Sequence, residues 1–327
     1  MYVESVAALR GTKLTCWENL LRKTALTPDM HWEQTVLIWD GEELVAAGSR
    51  QDNLLKYIAV DPARQGEGLL SGVITALRQE AFRKGLRHLF LYTKPANAYL
   101  FGPLFFYPVA QTGDVLLMED RKNGIRDFLE ALPAKERSGT VGAAVMNCNP
   151  FTLGHQYLIW QAAGECDHLY VFVLSEDKST FSADARMEMV KRGTADIPNV
   201  TVLPTGPYLI SSATFPTYFL KNREQGGQVQ CMLDIEIFCK HFAPRLGITR
   251  RYVGTEPLSP MTNQYNDTLK AYLPGRGIEL REIPRLEKGD IPVSASRVRL
   301  LWERGDWEAL RSLVPETTLA WLEENKK

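Results

Sequence analysis

Two hydrophobic periods run along this chain, and their order changes near residue 140. In the first part β-type runs follow one another. "TVLIWDGEELVAAGSR" (35–50) has β-rich runs on both sides of Asp40-Gly41, a favoured tight-turn pair, and predicts a hairpin. A third strand is predicted at 54–60, another at "HLFLYT" and a late one within "FFYPVAQTGDVLLME". One helix interrupts them. After "DPARQGEG", residues Leu69, Leu70, Val73, Ile74, Leu77, Ala81 and Phe82 fall on one helical face, and Gly85 follows as a stop.

From residue 141 strand and helix alternate. Strands are predicted at 141–146, 169–174, 200–203, 252–254 and 278–283, and helical patterns at 154–163, 183–192, 215–222 and 233–246. That order implies an α/β fold with a parallel sheet covered on both faces. From Ser294 onward the chain reads as a helical tail. The charged, Pro-containing stretch "ALPAKERSGT" separates the two patterns, so domains are expected at 1–138 and 139–327. The length of 327 residues fits that division at roughly 150 residues per domain.

Composition narrows the class of function. The chain is 45% hydrophobic and 24% charged, the balance of an ordinary globular protein. Lys and Arg number 38 against 39 Asp and Glu, which argues against a general binder of nucleic acid or of anionic membrane. Five cysteines with no CxxC pair form neither a disulfide framework nor a zinc site. The start "MYVESVAALRGTK" lacks the marks of a signal peptide, and no run of ~18 apolar residues exists. A cytoplasmic protein without membrane or nucleic-acid partners is expected.

The stretch "AAVMNCNPFTLGHQYLIWQAA" carries the first candidate chemistry. It begins as a buried strand and ends as an amphipathic helix, with Asn, Pro, Thr, Gly and His at the join. In a parallel sheet that join is where a helix N-terminus offers free N–H groups to a phosphate. Gly154 would allow close approach, His155 would aim an imidazole N–H at a phosphate oxygen and Thr152 would add a hydroxyl. A plain helix cap is the competing reading of His155. A second cluster, "DIPVSASRVRLLWERGDW", puts Ser294, Ser296, Arg297 and Arg299 at another helix start. Serines there cap the helix or donate to an anion, and an Arg on the first turn adds a fixed charge for phosphate. A capped surface helix with solvated arginines is the alternative.

Together the two clusters resemble the nucleotidylyltransferase superfamily, whose motifs are (H/T)-x-G-H and I-S-S-T-x-x-R. Thr152, Gly154 and His155 match the first; Val293, Ser294, Ser296 and Arg299 match the second, with Ala295 at a usual Ser. "VGTEP" stands where that superfamily often has a Gly-containing loop. More specifically, "MNCNPFTLGHQYLI", "SEDKSTFSADARMEMVKRGTADIPNV", "VGTEPLSPMTNQYN" and "PVSASRVR" resemble the citrate lyase ligase family. The first part resembles a GNAT-type acetyltransferase. The fold implied is a GNAT-like α+β domain followed by a Rossmann-like nucleotidylyltransferase domain with a helical tail.

The resemblance implies ATP with Mg²⁺ as cofactors, acetate as substrate, and the citrate lyase acyl carrier subunit with its CoA-like prosthetic group as partner. Acetyl-AMP would form, the thiol of the prosthetic group would be acetylated, and AMP and pyrophosphate would leave. His155, Thr152 and Arg299 would be catalytic; Asn149, Phe151, Gly154, Gly254, Thr255, Glu256, Ser294 and Ser296 would bind the nucleotide. Glu176, Asp177 and Glu256 read either as solvated loop acids or as groups reaching Mg²⁺ through water or the ribose. Arg186 reads as reaching phosphate or as a surface salt bridge. Cys148 reads as a packing residue, with acyl acceptance as the alternative.

The GNAT resemblance directs attention to Gly66 and Gly68. That fold holds a CoA pyrophosphate on a (Q/R)-x-x-G-x-(G/A) loop, here Ala63 to Gly68, with Ala63 at the usual Gln or Arg and Glu67 adding a negative charge. A site for the CoA-like arm and a structural remnant are both open. Three other functions compete: an adenylyltransferase of coenzyme biosynthesis, an N-acetyltransferase with an inactive second domain, and a carrier-docking module without catalysis.

Overall fold

The computed structural model describes all residues except 29–30, 134–137, 178, 210–225, 257–259, 289–290 and 326–327. The helical pattern at 215–222 and the last residue of "VGTEP" lie outside the described residues. Two compact units result: Met1–Gly124 with a later segment ending at Val229, and the remainder.

The first unit runs β1 (Tyr2–Val6), α1 (Gly11–Lys23), β2 (Gln34–Asp40), β3 (Glu43–Gln51), β4 (Leu54–Val60), α2 (Leu69–Arg83), β5 (Phe90–Thr93), α3 (Ala98–Phe101), β6 (Tyr107–Gln111) and β7 (Leu116–Glu119). The predicted hairpin is β2–β3, closed by Asp40 opposite Glu43. The sheet order is β1-β2-β3-β4-β5-β7-β6, antiparallel except where β4 meets β5. Helix α2 makes the crossover between those two. It rests on β3 so closely that a Cβ on Gly48 would stand 2.6 Å from Val73 and 2.9 Å from Leu77. Leu69, Val73, Ile74, Leu77 and Ala81 are buried as their spacing predicts. Phe82 is not: it is 60% exposed and lies under the Arg87 guanidinium at 4.7 Å, a cation–π contact that needs no core. The mixed sheet with its parallel crossover is the GNAT-like architecture expected.

The second unit by its contacts begins at Ile125, so α4 (Gly124–Ala131) belongs with it, upstream of the expected division at 138/139. The reason is packing: Phe128 of α4 lies against Tyr208 and Phe242. There follow β8 (Val141–Met146), α5 (Leu153–Gly164), β9 (His168–Val173), α6 (Ala183–Gly193), β10 (Val200–Pro204), α7 (Gly226–Ile237), α8 (Ala243–Leu246), β11 (Arg250–Gly254), α9 (Pro260–Tyr272), β12 (Glu279–Ile283), α10 (Ala295–Arg304), α11 (Trp307–Arg311) and α12 (Glu316–Glu324). The pattern at 233–246 is one helical path broken by a π-turn at Phe238–Phe242. The five strands are all parallel in the order β10-β9-β8-β11-β12. The first strand therefore sits in the middle, and the winding reverses beside it. A crevice opens at such a reversal, at the carboxyl end of β8.

The helical tail consists of three helices. Gly305 takes a left-handed conformation and ends α10; Pro315 precedes α12. Helix α12 packs on α6 with Thr318 and Leu322 buried. Beneath them Gly193, the last residue of α6, leaves room for the Phe151 ring: a Cβ there would overlap it. Gly193→Ala should therefore cost about 1–3 kcal/mol, the usual range for overpacking. Urea unfolding checks this; an unchanged midpoint would show that Phe151 is free to shift.

Candidate active site

The loop from β8 to α5 is tightly folded. Cys148 is buried with φ +52, Asn149-Pro150 is a cis peptide, and Thr152 is extended as the N-cap of α5. Cap and first turn bond reciprocally. The Thr152 hydroxyl accepts the His155 N–H at 3.4 Å, and His155 Nδ1 accepts the Thr152 N–H at 3.1 Å. This is a capping box in which His replaces the usual Glu or Gln. Because Nδ1 is an acceptor, the neutral ring carries its proton on Nε2. Burial, and then the nearby Arg285 charge, lower the His155 pKa to about 4. The ring keeps some exposed surface, yet it is a neutral N–H donor at pH 7.

Two further donors belong to this turn. The Leu153 N–H is taken by the Leu313 carbonyl at 3.0 Å. The Gly154 N–H has no partner among the described residues. Neither a positive φ nor crowding requires glycine there, since a Cβ would meet Val293 at an ordinary 3.5 Å or more.

The second cluster arrives at the same place. Val293 lies against Gly154, and Ser294 caps α10 by accepting the Arg297 N–H at 3.2 Å. Arg299 donates to the Asn149 carbonyl at 2.6 Å and to the Ser296 hydroxyl at 3.0 Å. Arg297 is exposed. The structure thus gathers Asn149, Thr152, Gly154, His155, Ser294, Ser296 and Arg299. Phe151 is 0% exposed and stacks on the His155 ring at 6.0 Å between centroids, so it supports that ring.

The ends of β11 and β12 form the third side. Gly254 packs on Leu158 of α5, one turn beyond His155, and its carbonyl accepts from buried Asn266 at 2.9 Å. Thr255 accepts the Arg285 N–H at 3.0 Å, and Glu256 pairs with the Arg285 guanidinium at 2.7 Å. Glu256 is therefore a paired, mostly buried acid, not a solvated one. Arg285 was invisible in the motifs. Its one signal is its place two residues past a predicted strand end, at the ligand edge of the sheet.

Arg186 is not the surface salt bridge of one reading. It is 0% exposed and donates to the carbonyls of Phe181, Asn147, Leu174 and Glu176 and to the Asn147 side chain. Its guanidinium is thus bonded to the chain itself. Asp177 accepts the Ala183 N–H at the start of α6. Burial raises the Cys148 thiol well above its ordinary range, so it stays protonated and inert. No group of three His, Cys, Asp or Glu among the described residues could hold a metal, and no described helix is long and apolar enough to cross a membrane.

Gly66 and Gly68 lie in the first unit, both at positive φ, with open space where a Cβ would stand. Gly68 is the N-cap of α2. Arg64 pairs with both Glu67, at 2.7 Å, and Asp40, at 3.0 Å. Arg64 thus ties the loop to the β2–β3 turn, and Asp40 also lies 4.0 Å from the Met1 ammonium.

Comparison with known proteins gives a consistent set. Residues 141–322 match the model of the citrate lyase ligase C-terminal domain. A citrate (pro-3S)-lyase ligase of Klebsiella pneumoniae is 44% identical over 93% of this chain and 91% of its own length. Those of Escherichia coli strain K12 and Haemophilus influenzae are 39% and 37% identical, over 93% and 95% of this chain and 89% and 96% of theirs.

The lowered His155 pKa has a direct test. In an NMR titration its ring signals should hold steady from pH 8 to about 5.5 and move near pH 4, against an ordinary value of 6.5. The unfolded chain binds this proton first, so the ring's contribution to stability is complete above pH 6.5 and falls as pH drops toward 4. Titration near 6.5 would contradict the buried, singly protonated ring.

Proposed function

The chain belongs to the citrate lyase ligase family, and on that premise we propose that it uses ATP to acetylate the thiol of the CoA-like group on the citrate lyase acyl carrier subunit. A carboxylate oxygen of acetate attacks the α-phosphorus of ATP. The bond to the bridging oxygen breaks, and pyrophosphate leaves with the electron pair. The thiol then gives up its proton, its sulfur attacks the acyl carbon of acetyl-AMP, and AMP departs.

The observation that carries the reading is the bond from Arg299 to the Asn149 carbonyl, which joins the two clusters at the carboxyl end of β8. No protein nucleophile is needed, so the residues act by position and charge. His155 Nε2–H and the Gly154 N–H hold the α-phosphate, and buried Thr152 fixes the His155 ring for that task. Arg299, Ser294 and Ser296 hold the departing phosphates. Gly254, Thr255 and Glu256 border the nucleotide. Mg²⁺ arrives on the triphosphate as part of the substrate. We assign this half-reaction to 139–327 and the holding of the CoA-like arm to Gly66 and Gly68 in 1–138, in the cytoplasm.

The test supplies Mg·ATP, acetate and deacetylated citrate lyase. AMP, pyrophosphate and restored lyase activity are expected; a stable dinucleotide would point to an adenylyltransferase instead. His155→Ala should slow acetate-dependent ATP–pyrophosphate exchange by ~10²–10³ while ATP binding weakens far less, since the contact tightens as charge develops. Near-normal exchange would remove His155 from the mechanism. Gly66→Val, strained at φ +90, should impair carrier acetylation at low carrier concentration and spare exchange. If the folded variant loses neither, the loop does not hold the arm.

A further inference from the structure

Beside His155 lies a second fixed charge that the motifs do not contain. Arg285 stands two residues beyond β12, on the edge of the sheet where β8 and β11 also end. Its backbone is pinned there. Thr255 N–H donates to the Ile283 carbonyl at 3.0 Å, and the Thr255 hydroxyl accepts the Arg285 N–H at 3.0 Å. The guanidinium is 22% exposed and gives Nη1 to Glu256, itself 15% exposed, at 2.7 Å. Its other N–H groups have no partner among the described residues. Helix α5 packs directly on this corner through Leu158, which shares a helical face with His155.

Two neighbouring groups that can only donate, His155 Nε2–H and a half-used guanidinium, share an acceptor far better than they tolerate each other alone. We propose that Arg285 is a further catalytic residue of adenylation, its guanidinium bonding the phosphoryl oxygens that His155 also holds, with Glu256 as the residue that positions it. This rests on the adenylation reading above. A guanidinium suits the task because its planar fork bonds phosphate at two points and it has no proton to lose near neutral pH. Glu256 keeps the fork at the edge of the site before the nucleotide arrives, so less ordering remains to be done on binding. The alternative is a purely structural clasp between the β11 and β12 ends.

The experiment compares Arg285→Ala, Arg285→Lys and Glu256→Gln with the wild type, after unfolding curves establish that each is folded. Acetate-dependent ATP–pyrophosphate exchange should fall by ~10² in Arg285→Ala, the loss expected for one transition-state donor. Lysine should restore little of it, because a point charge does not replace the fork. Glu256→Gln should lose less, in kcat and not in the KM for ATP. The His155 titration should move up in Arg285→Ala, a shift that a distant clasp would not produce. Unchanged exchange in folded Arg285→Ala overturns the proposal. If the wild type itself shows no exchange, the adenylation reading fails separately. Arg285 is then judged by Mg·ATP affinity alone: weaker binding in Arg285→Ala sustains its contact with phosphate, and equal binding overturns it.

Discussion

The guanidinium of Arg186 is solvated by the chain itself, and the carboxyl edge of the parallel sheet takes its shape from that. Where parallel strands end, their last carbonyls lose their ladder partners and must find donors elsewhere. Arg186 supplies them from one side chain: to Asn147 after β8, to Leu174 and Glu176 after β9, and to Phe181 before α6. Asn149 adds a bond to the Phe181 N–H at 3.1 Å. The two loops that face the crevice therefore move as one body. A charged donor bond contributes about 1.5–3 kcal/mol, and an apolar replacement would leave several carbonyls dry and unpaired. Burial lowers the Arg186 pKa, but no ordinary pH removes its proton.

On this frame the site divides its labour by charge type. His155 is a donor without charge, fixed in one tautomer by the backbone of its own cap. Arg299 and Arg285 bring positive charge on planar forks. A reaction that piles negative charge on phosphate oxygens is served by groups that give no proton away as the charge appears. Phe151 and Cys148 sit beneath, one stacked on the imidazole and one held as a thiol by burial. The loop at Gly66 and Gly68 is of another kind: open in space and helix-capping, with Arg64 shared between Glu67 and Asp40.

Much of this was legible in the sequence, and the misses share a cause. Strand and helix periods were readable because each is set by which side chains face a core. The Thr152–His155 and Ser294–Arg299 clusters were readable because caps have fixed spacing. Arg186 was not, because its partners are main-chain carbonyls, which no residue type announces. Phe82 obeyed the helical period but found a guanidinium in place of a core. Phe151 belonged to the motif, yet the space that Gly193 leaves draws it below the surface. Glu256 looked like a free acid because Arg285, 29 residues on, pairs with it only after two strands lie side by side.

The bond from Leu153 N–H to the Leu313 carbonyl makes the loop from β8 to α5 depend on residues far along the chain. The first turn of α5 closes on a carbonyl that follows α11, and α12 covers α6. A fragment cut before α11 would keep its five parallel strands and lose the partner of that turn. The helical tail is therefore part of the loop's construction and not an appendage to the sheet.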